Sequence, residues 1–155
     1  MGTVNQASSD ARAGQIEALL INGGDKPRSN SFAHLVHLER TLALLDGARV
    51  PRDRVTVFSG DGNAPEPDQA AGVPPVHPDL QPLWGTSVTR WLREGTTLVN
   101  SHIDGVRLLP AKRAALETWF HLRGSELRPG DTLFVFVTDH GTMNKGDLKN
   151  NRISL

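Results

Sequence analysis

Apolar positions along this 155-residue chain follow two rhythms, and each change of rhythm marks an element. Residues 16–22 are a mainly apolar run halted by Gly23-Gly24, which predicts a buried strand. A polar loop (25–30) leads into residues 31–45. There Phe32, Leu35, Leu38, Leu42 and Leu45 recur every third or fourth position and predict a helix with one apolar stripe. Ser29, Asn30 or Ser31 can cap its start, and Asp46-Gly47 ends it. Residues 55–58 predict a second strand, stopped at Ser59-Gly60. Residues 60–82 are rich in Pro, Gly, Asp and Asn without apolar period, and predict a long surface insertion. Trp84, Val88, Trp91 and Leu92 predict a short amphipathic helix, and 96–99 a minor strand. Pro110 is placed at the start of a further helix, with Ala115, Leu116, Trp119, Phe120 and Leu122 as its buried face and Gly124 as its close. Pro129-Gly130 then turns the chain into a third strong strand, 131–137. Residues 1–15 are small and polar and read as a disordered lead, leaving 16–155 as one domain.

Strands alternating with helices predict an α/β fold with a mainly parallel sheet flanked by helices, and with right-handed crossovers. Active sites of such sheets lie beyond the carboxyl ends of the strands. The polar residues after positions 22, 58 and 137 therefore share one edge, which predicts that Asp25, Arg28, Asp61 and His140 lie near one another.

Composition narrows the chemistry. Lys plus Arg and Asp plus Glu both number 17, so net charge draws the chain toward neither nucleic acid nor an anionic membrane. No apolar run approaches the roughly 18 residues of a membrane span, and no secretory pattern is readable at the start, so a cytoplasmic location is expected. The chain has no Cys, which excludes disulfides, a thiolate zinc site and a Cys nucleophile of its own. His34 and His37 form an H-x-x-H pair without a third ligand at a helpful offset, so a helical face packed near the site or turned to solvent is expected. His77 and His102 stand in loops, and His121 near the last carbonyls of a helix. No metal or cofactor is expected. Asn22-Gly-Gly-Asp is glycine-rich after a strand, yet G-x-G-x-x-G and the P-loop lysine are both missing, which weakens a nucleotide-binding reading.

The most informative stretch is GDTLFVFVTDHGT, residues 130–142. An apolar strand delivers Thr138, Asp139, His140 and Gly141 to the expected catalytic edge. An imidazole there, with an ordinary pKa near ~6.5, can act as base or acid at neutral pH. A following glycine lets a substrate approach the backbone. The local pattern alone fits better a helix-capping or loop histidine with a turn glycine.

This stretch resembles the His-Gly strand of legumain-like peptidases, relatives of caspases and metacaspases, and the opening ALLINGGDKPRSNSFAHLVHLERTLALL is similar to the group's first strand, loop and helix. The resemblance implies a caspase-like sandwich and cysteine endopeptidase chemistry on protein or peptide substrates. It implies that His140 serves a cysteine thiolate at the end of the next strand, and that the Gly141 N–H helps hold the oxyanion. Asp139 would contribute to the site or bind N–H groups of its own loop. Arg28 and Asp25 would belong to the pocket for the residue before the scissile bond. Arg28 there implies a preference for an acidic or Asn residue, whereas Asp25 would favour Arg or Lys. With no Cys in the chain, the nucleophile is expected on a C-terminal Cys-bearing fragment of the same protease. Packing asks for such a partner too, because an apolar parallel strand needs a neighbour on each edge. The competing expectation is a non-catalytic caspase-like interaction module.

Overall fold

The computed structural model describes residues 14–23, 26–72, 96–142, 146–147 and 152–153. Strand β1, Ile16–Asn22, has the predicted bounds and lies at the centre of a four-stranded sheet. Helix α1, Phe32–Gly47, follows it, with Ser31 as N-cap accepting a hydrogen bond from the Ala33 N–H. Strand β2, Val55–Ser59, comes next, after a 3₁₀ turn at Arg52–Arg54. Two short strands, β3 (Gln69–Gly72) and β4 (Thr96–Val99), pair with each other antiparallel and outside the main sheet. Strand β5 (Leu108–Leu109) and helix α2 (Arg113–Leu122) lead to strand β6 (Thr132–Thr138). A two-residue pairing of β7 (Gly141–Thr142) with β8 (Arg152–Ile153) closes the described chain.

The sheet order is β5-β2-β1-β6, and every pairing in it is parallel. The predicted α/β class is therefore observed: a parallel sheet with helices against it. Strand pleating sorts the core. Ala18 and Leu20 of β1 pack with Leu35, Leu38, Leu42 and Leu45 of α1 and with Val57 and Leu108. Leu19 and Ile21 point the other way, to Phe58, Ala111, Leu116 and Trp119. Trp119 is 5% exposed and donates its indole N–H to Thr56 Oγ1 at 2.9 Å, so the largest side chain of α2 is fastened as well as buried.

Three expectations change. Pro110 does not begin α2: it ends β5, whose Leu108 and Leu109 pair with Val57 and Phe58, and the helix starts three residues later. Phe120 and Leu122 are exposed, because α2 rests on the sheet through Leu116 and Trp119, and Phe120 lies edge-on to Trp119 at the helix margin. The predicted insertion is structured over 60–72, where β3 holds part of a buried polar network. Its remainder, the Trp84–Leu92 helix and residues 1–13 of the lead lie outside the described residues, while Gln15, read as the end of that disordered lead, is hydrogen-bonded to Asp131 and Thr132.

Strand β6 is the edge of the sheet among the described residues. Phe134, Val135 and Val137 are 39%, 46% and 38% exposed, although all belong to one apolar strand. Helix α2 covers the β1 and β2 rows and leaves Val135 and Val137 half bare on its side of β6, while Phe134 is half bare on the α1 side. Among the described residues no helix is long and apolar enough to cross a membrane.

After α1 the chain reverses through Arg49, the one described non-glycine residue with positive φ, at 59°. A Cβ in this region costs about 1–2 kcal/mol, and helices normally use glycine there. Arg49 is exposed. Arg49→Gly is expected to raise stability by up to about 1 kcal/mol, read as a higher urea midpoint at unchanged slope.

Candidate functional site

The carboxyl ends of β6, β1 and β2 form one polar rung. Register sets Thr138 beside Asn22 and Asn22 beside Ser59. All three continue the side of the sheet that faces α1, where Leu20, Val57 and Phe136 lie one pleat earlier. The same alternation that buries leucines against α1 thus ends in a hydroxyl, an amide and a hydroxyl.

At the β6 end of the rung stand three histidines. Thr138 Oγ1 lies 2.7 Å from His34 Nδ1 and 3.1 Å from His37 Nδ1. The His34 ring also meets the His140 ring edge-on, with centroids 5.2 Å apart and planes at 87°. A hydroxyl has one proton and two lone pairs, so at most one imidazole accepts from Thr138 and at least one donates to it. His34 Nε2 is buried without a partner among the described residues. The assignment that buries no idle N–H puts the His34 proton on Nδ1, donating to Thr138. Burial holds the His34 pKa below its ordinary value of 6.5; the nearby His140 and His37 lower it further and Asp139 opposes them. Between the depressed value and 6.5 the folded chain binds fewer protons than the unfolded one, so stability is present above pH 6.5 and is lost as pH falls through the folded pKa. His34→Gln is expected to flatten that acid-side decline, checked by urea unfolding of both proteins between pH 5 and pH 7.5 (a roughly chosen span around the reference value).

His140 itself is exposed at the strand end, with Gly141 directly after it in β7, opposite Ile153. Asp139 Oδ1 accepts the His140 N–H at 2.6 Å, which is the loop-holding role that the sequence left open for this carboxylate. Its Oδ2 is buried without a partner.

At the β2 end the rung passes into a buried polar network. Asn22 donates Nδ2–H to Ser59 Oγ at 3.1 Å, and Gln69 donates to Ser101 Oγ at 2.6 Å and to Ser59 Oγ at 3.4 Å. Asp68, 4% exposed, accepts the Ser101 N–H and O–H at 2.7 Å each and the Asp61 N–H at 3.1 Å. Asn30 donates to the Asp68 carbonyl at 3.0 Å. Gly60 has φ 48°, and a Cβ there would collide with Asp68 Oδ2, so only glycine lets the chain leave β2 beside this carboxylate. Burial, the adjoining Asp68 and the nearby Glu66 push the Asp61 carboxyl above its ordinary value.

Arg28 is exposed, and no hydrogen bond, ion pair or ring contact joins it or Asp61 to His140 among the described residues. Asp25 lies outside the described residues. The parallel sheet brings the strand ends to one edge as expected, but the side chains gathered around His140 are those of α1. His34 and His37 therefore take the first of the two roles open to them, a helical face packed at the site. Among the described residues no group of three or more His, Cys, Asp or Glu side chains could hold a metal ion. No family profile, curated protein or solved structure matches the chain.

Proposed function

We propose that this chain is the histidine-bearing part of a caspase/legumain-like cysteine endopeptidase. His140 would be the acid/base group, and the Cys nucleophile would come from a second polypeptide docked beside β6, a C-terminal fragment of the same protease. One observation carries the reading: an exposed histidine followed by glycine stands at the carboxyl end of an apolar parallel strand whose outer edge is unpaired among the described residues. A thiolate arriving on the next strand would meet the imidazole at that end.

The chemistry then runs in two halves. The imidazole of His140 takes the thiol proton, and the thiolate attacks the scissile carbonyl. The tetrahedral oxyanion is held by N–H groups, that of Gly141 among them. The imidazolium gives its proton to the departing amine as the C–N bond breaks. Water, deprotonated by the same imidazole, then hydrolyses the thioester. His34, neutral and edge-on, and Thr138 would keep the His140 ring in place. Arg28, exposed after β1, is proposed to recognise an acidic or Asn residue before the scissile bond through its planar fork. Asp25, in the same loop, is the proposed acidic element if a basic residue is preferred.

A denaturing intact-mass spectrum of the native material, run beside an assay with fluorogenic Asp and Asn peptides, tests this. A second, stoichiometric Cys-containing polypeptide together with hydrolysis is the expected result. A lone folded chain without activity defeats it and favours the non-catalytic interaction module, the reading supported by the absence of Cys.

A further inference from the structure

One cleft among the described residues lies at the opposite end of the strands from His140. It opens at the amino ends of β1 and β6, encloses about 400 Å³, and is lined by Glu17, Arg54, Arg123, Ser125, Glu126, Leu127, Arg128 and Asp131. That volume falls in the range of small-molecule sites, roughly 300–1,000 Å³.

Its charges are unequally engaged. Glu17 is 4% exposed, and its Oε1 accepts two hydrogen bonds from Arg123, at 2.9 and 3.2 Å. Arg123 is spent: it also donates to the Asp53 carbonyl at 2.9 Å and to Glu126 at 3.5 Å. The Asp131 carboxylate accepts the Gln15 N–H at 2.9 Å and the Arg128 N–H at 3.0 Å, so it ties the turn before β6 to the chain before β1. Glu126 is largely exposed at the rim. Two guanidiniums remain. Arg54 approaches Glu17 Oε2 only to 3.7 Å, with no hydrogen bond from its side chain among the described residues. Arg128 holds the turn through its backbone, the N–H donating to Asp131 and the carbonyl accepting the Asp131 N–H, and its guanidinium makes no hydrogen bond or ion pair among the described residues. Each guanidinium carries about five N–H donors in a planar fork matched to oxyanions.

We propose that this cleft binds a small multivalent oxyanion of the phosphate type, gripped by Arg54 and Arg128, with Arg123 held in place by Glu17. The carboxylates that would oppose an anion are already answered, by Arg123 and by backbone N–H groups. The site is separate from the peptidase reading and lies at the opposite end of the strands, so a ligand there would act on the sheet and not on a substrate.

Inorganic pyrophosphate is the probe, titrated calorimetrically into the native protein at low salt, with citrate and chloride as parallel titrants. Saturable pyrophosphate binding is expected, stronger than citrate and absent for chloride. Arg128→Gln is expected to weaken it at least about tenfold, the effect of one lost charge-assisted contact. Arg128→Gln is the decisive variant because its side chain supports nothing else, whereas Arg54→Gln also removes a countercharge from buried Glu17. His140→Ala is expected to bind as the native chain does. No saturable binding, or equal affinity in Arg128→Gln, overturns the proposal, the second result by placing the anion elsewhere.

Discussion

Replacing His140 with alanine is expected to abolish peptide hydrolysis by the assembled enzyme while leaving the fold unchanged. In hydrolases whose nucleophile and base act as a unit, removing one member lowers kcat by as much as about 10⁶-fold. The thiol would lose its proton acceptor, and the leaving amine its proton donor, in a single substitution. Stability should move by no more than about 0.5 kcal/mol, because the ring is exposed and no described hydrogen bond depends on it. Single-turnover kinetics beside a urea melt separates the two effects. Peptidase activity within tenfold of the native level would remove His140 from the mechanism.

Asp68→Ala is expected to be the most damaging single substitution for stability, at about 3–4 kcal/mol. The carboxylate accepts from the Ser101 N–H and the Ser101 hydroxyl, both buried, and from the part-buried Asp61 N–H. Truncation leaves those donors unanswered and opens a void beside Gly60. Asp68→Asn keeps one accepting oxygen and should cost less than half as much. The Asp61 carboxyl supplies an independent reading. Its raised pKa owes most to burial and next most to Asp68, so removing Asp68 should return it partway toward 3.8, observable by NMR titration. Equal urea midpoints for Asp68→Ala and the native protein would show that the network contributes nothing to folding.

The scaffold was legible wherever apolar patterning alone decided the structure. Strand β1 came out with its bounds intact, and α1, β2 and β6 within a residue or two, because β1, α1 and β2 bury leucines, valines or phenylalanines at strand or helix period and β6 is an uninterrupted run of strand-forming apolar residues. Patterning failed where a polar group does the burying. Residues 60–72 looked like a solvated loop because Asp68 and Gln69 are polar, yet both are almost fully buried, Asp68 answered by Ser101 and Asn30 and Gln69 donating to Ser101. The one local hint was Ser-Gly-Asp-Gly-Asn directly after β2, a turn cluster too dense for an idle connection. In the candidate site, His140, Gly141 and Asp139 could be read from one strand end. The approach of His34 could not. It rests on Thr138, 104 residues away in sequence, and no periodicity within α1 encodes what the opposing strand presents. Phe120 and Leu122 fit the helical stripe and still face solvent, because the stripe says which residues are apolar and not how wide the sheet beneath them is.

The position of β1 also bears on synthesis. It is the first of the described strands to be synthesised and is flanked on both sides in the sheet, yet its β6 neighbour pairs Ile16 with Thr132, 116 positions later. At about 5–20 residues per second, one edge of β1 waits about 6–23 s after its own emergence before its partner exists. Throughout that delay a largely apolar strand is available to any other nascent chain on the same message. Polysome-bound chains should therefore engage a ribosome-associated chaperone until about residue 138 has cleared the exit tunnel, and release it abruptly once β6 can zip onto β1.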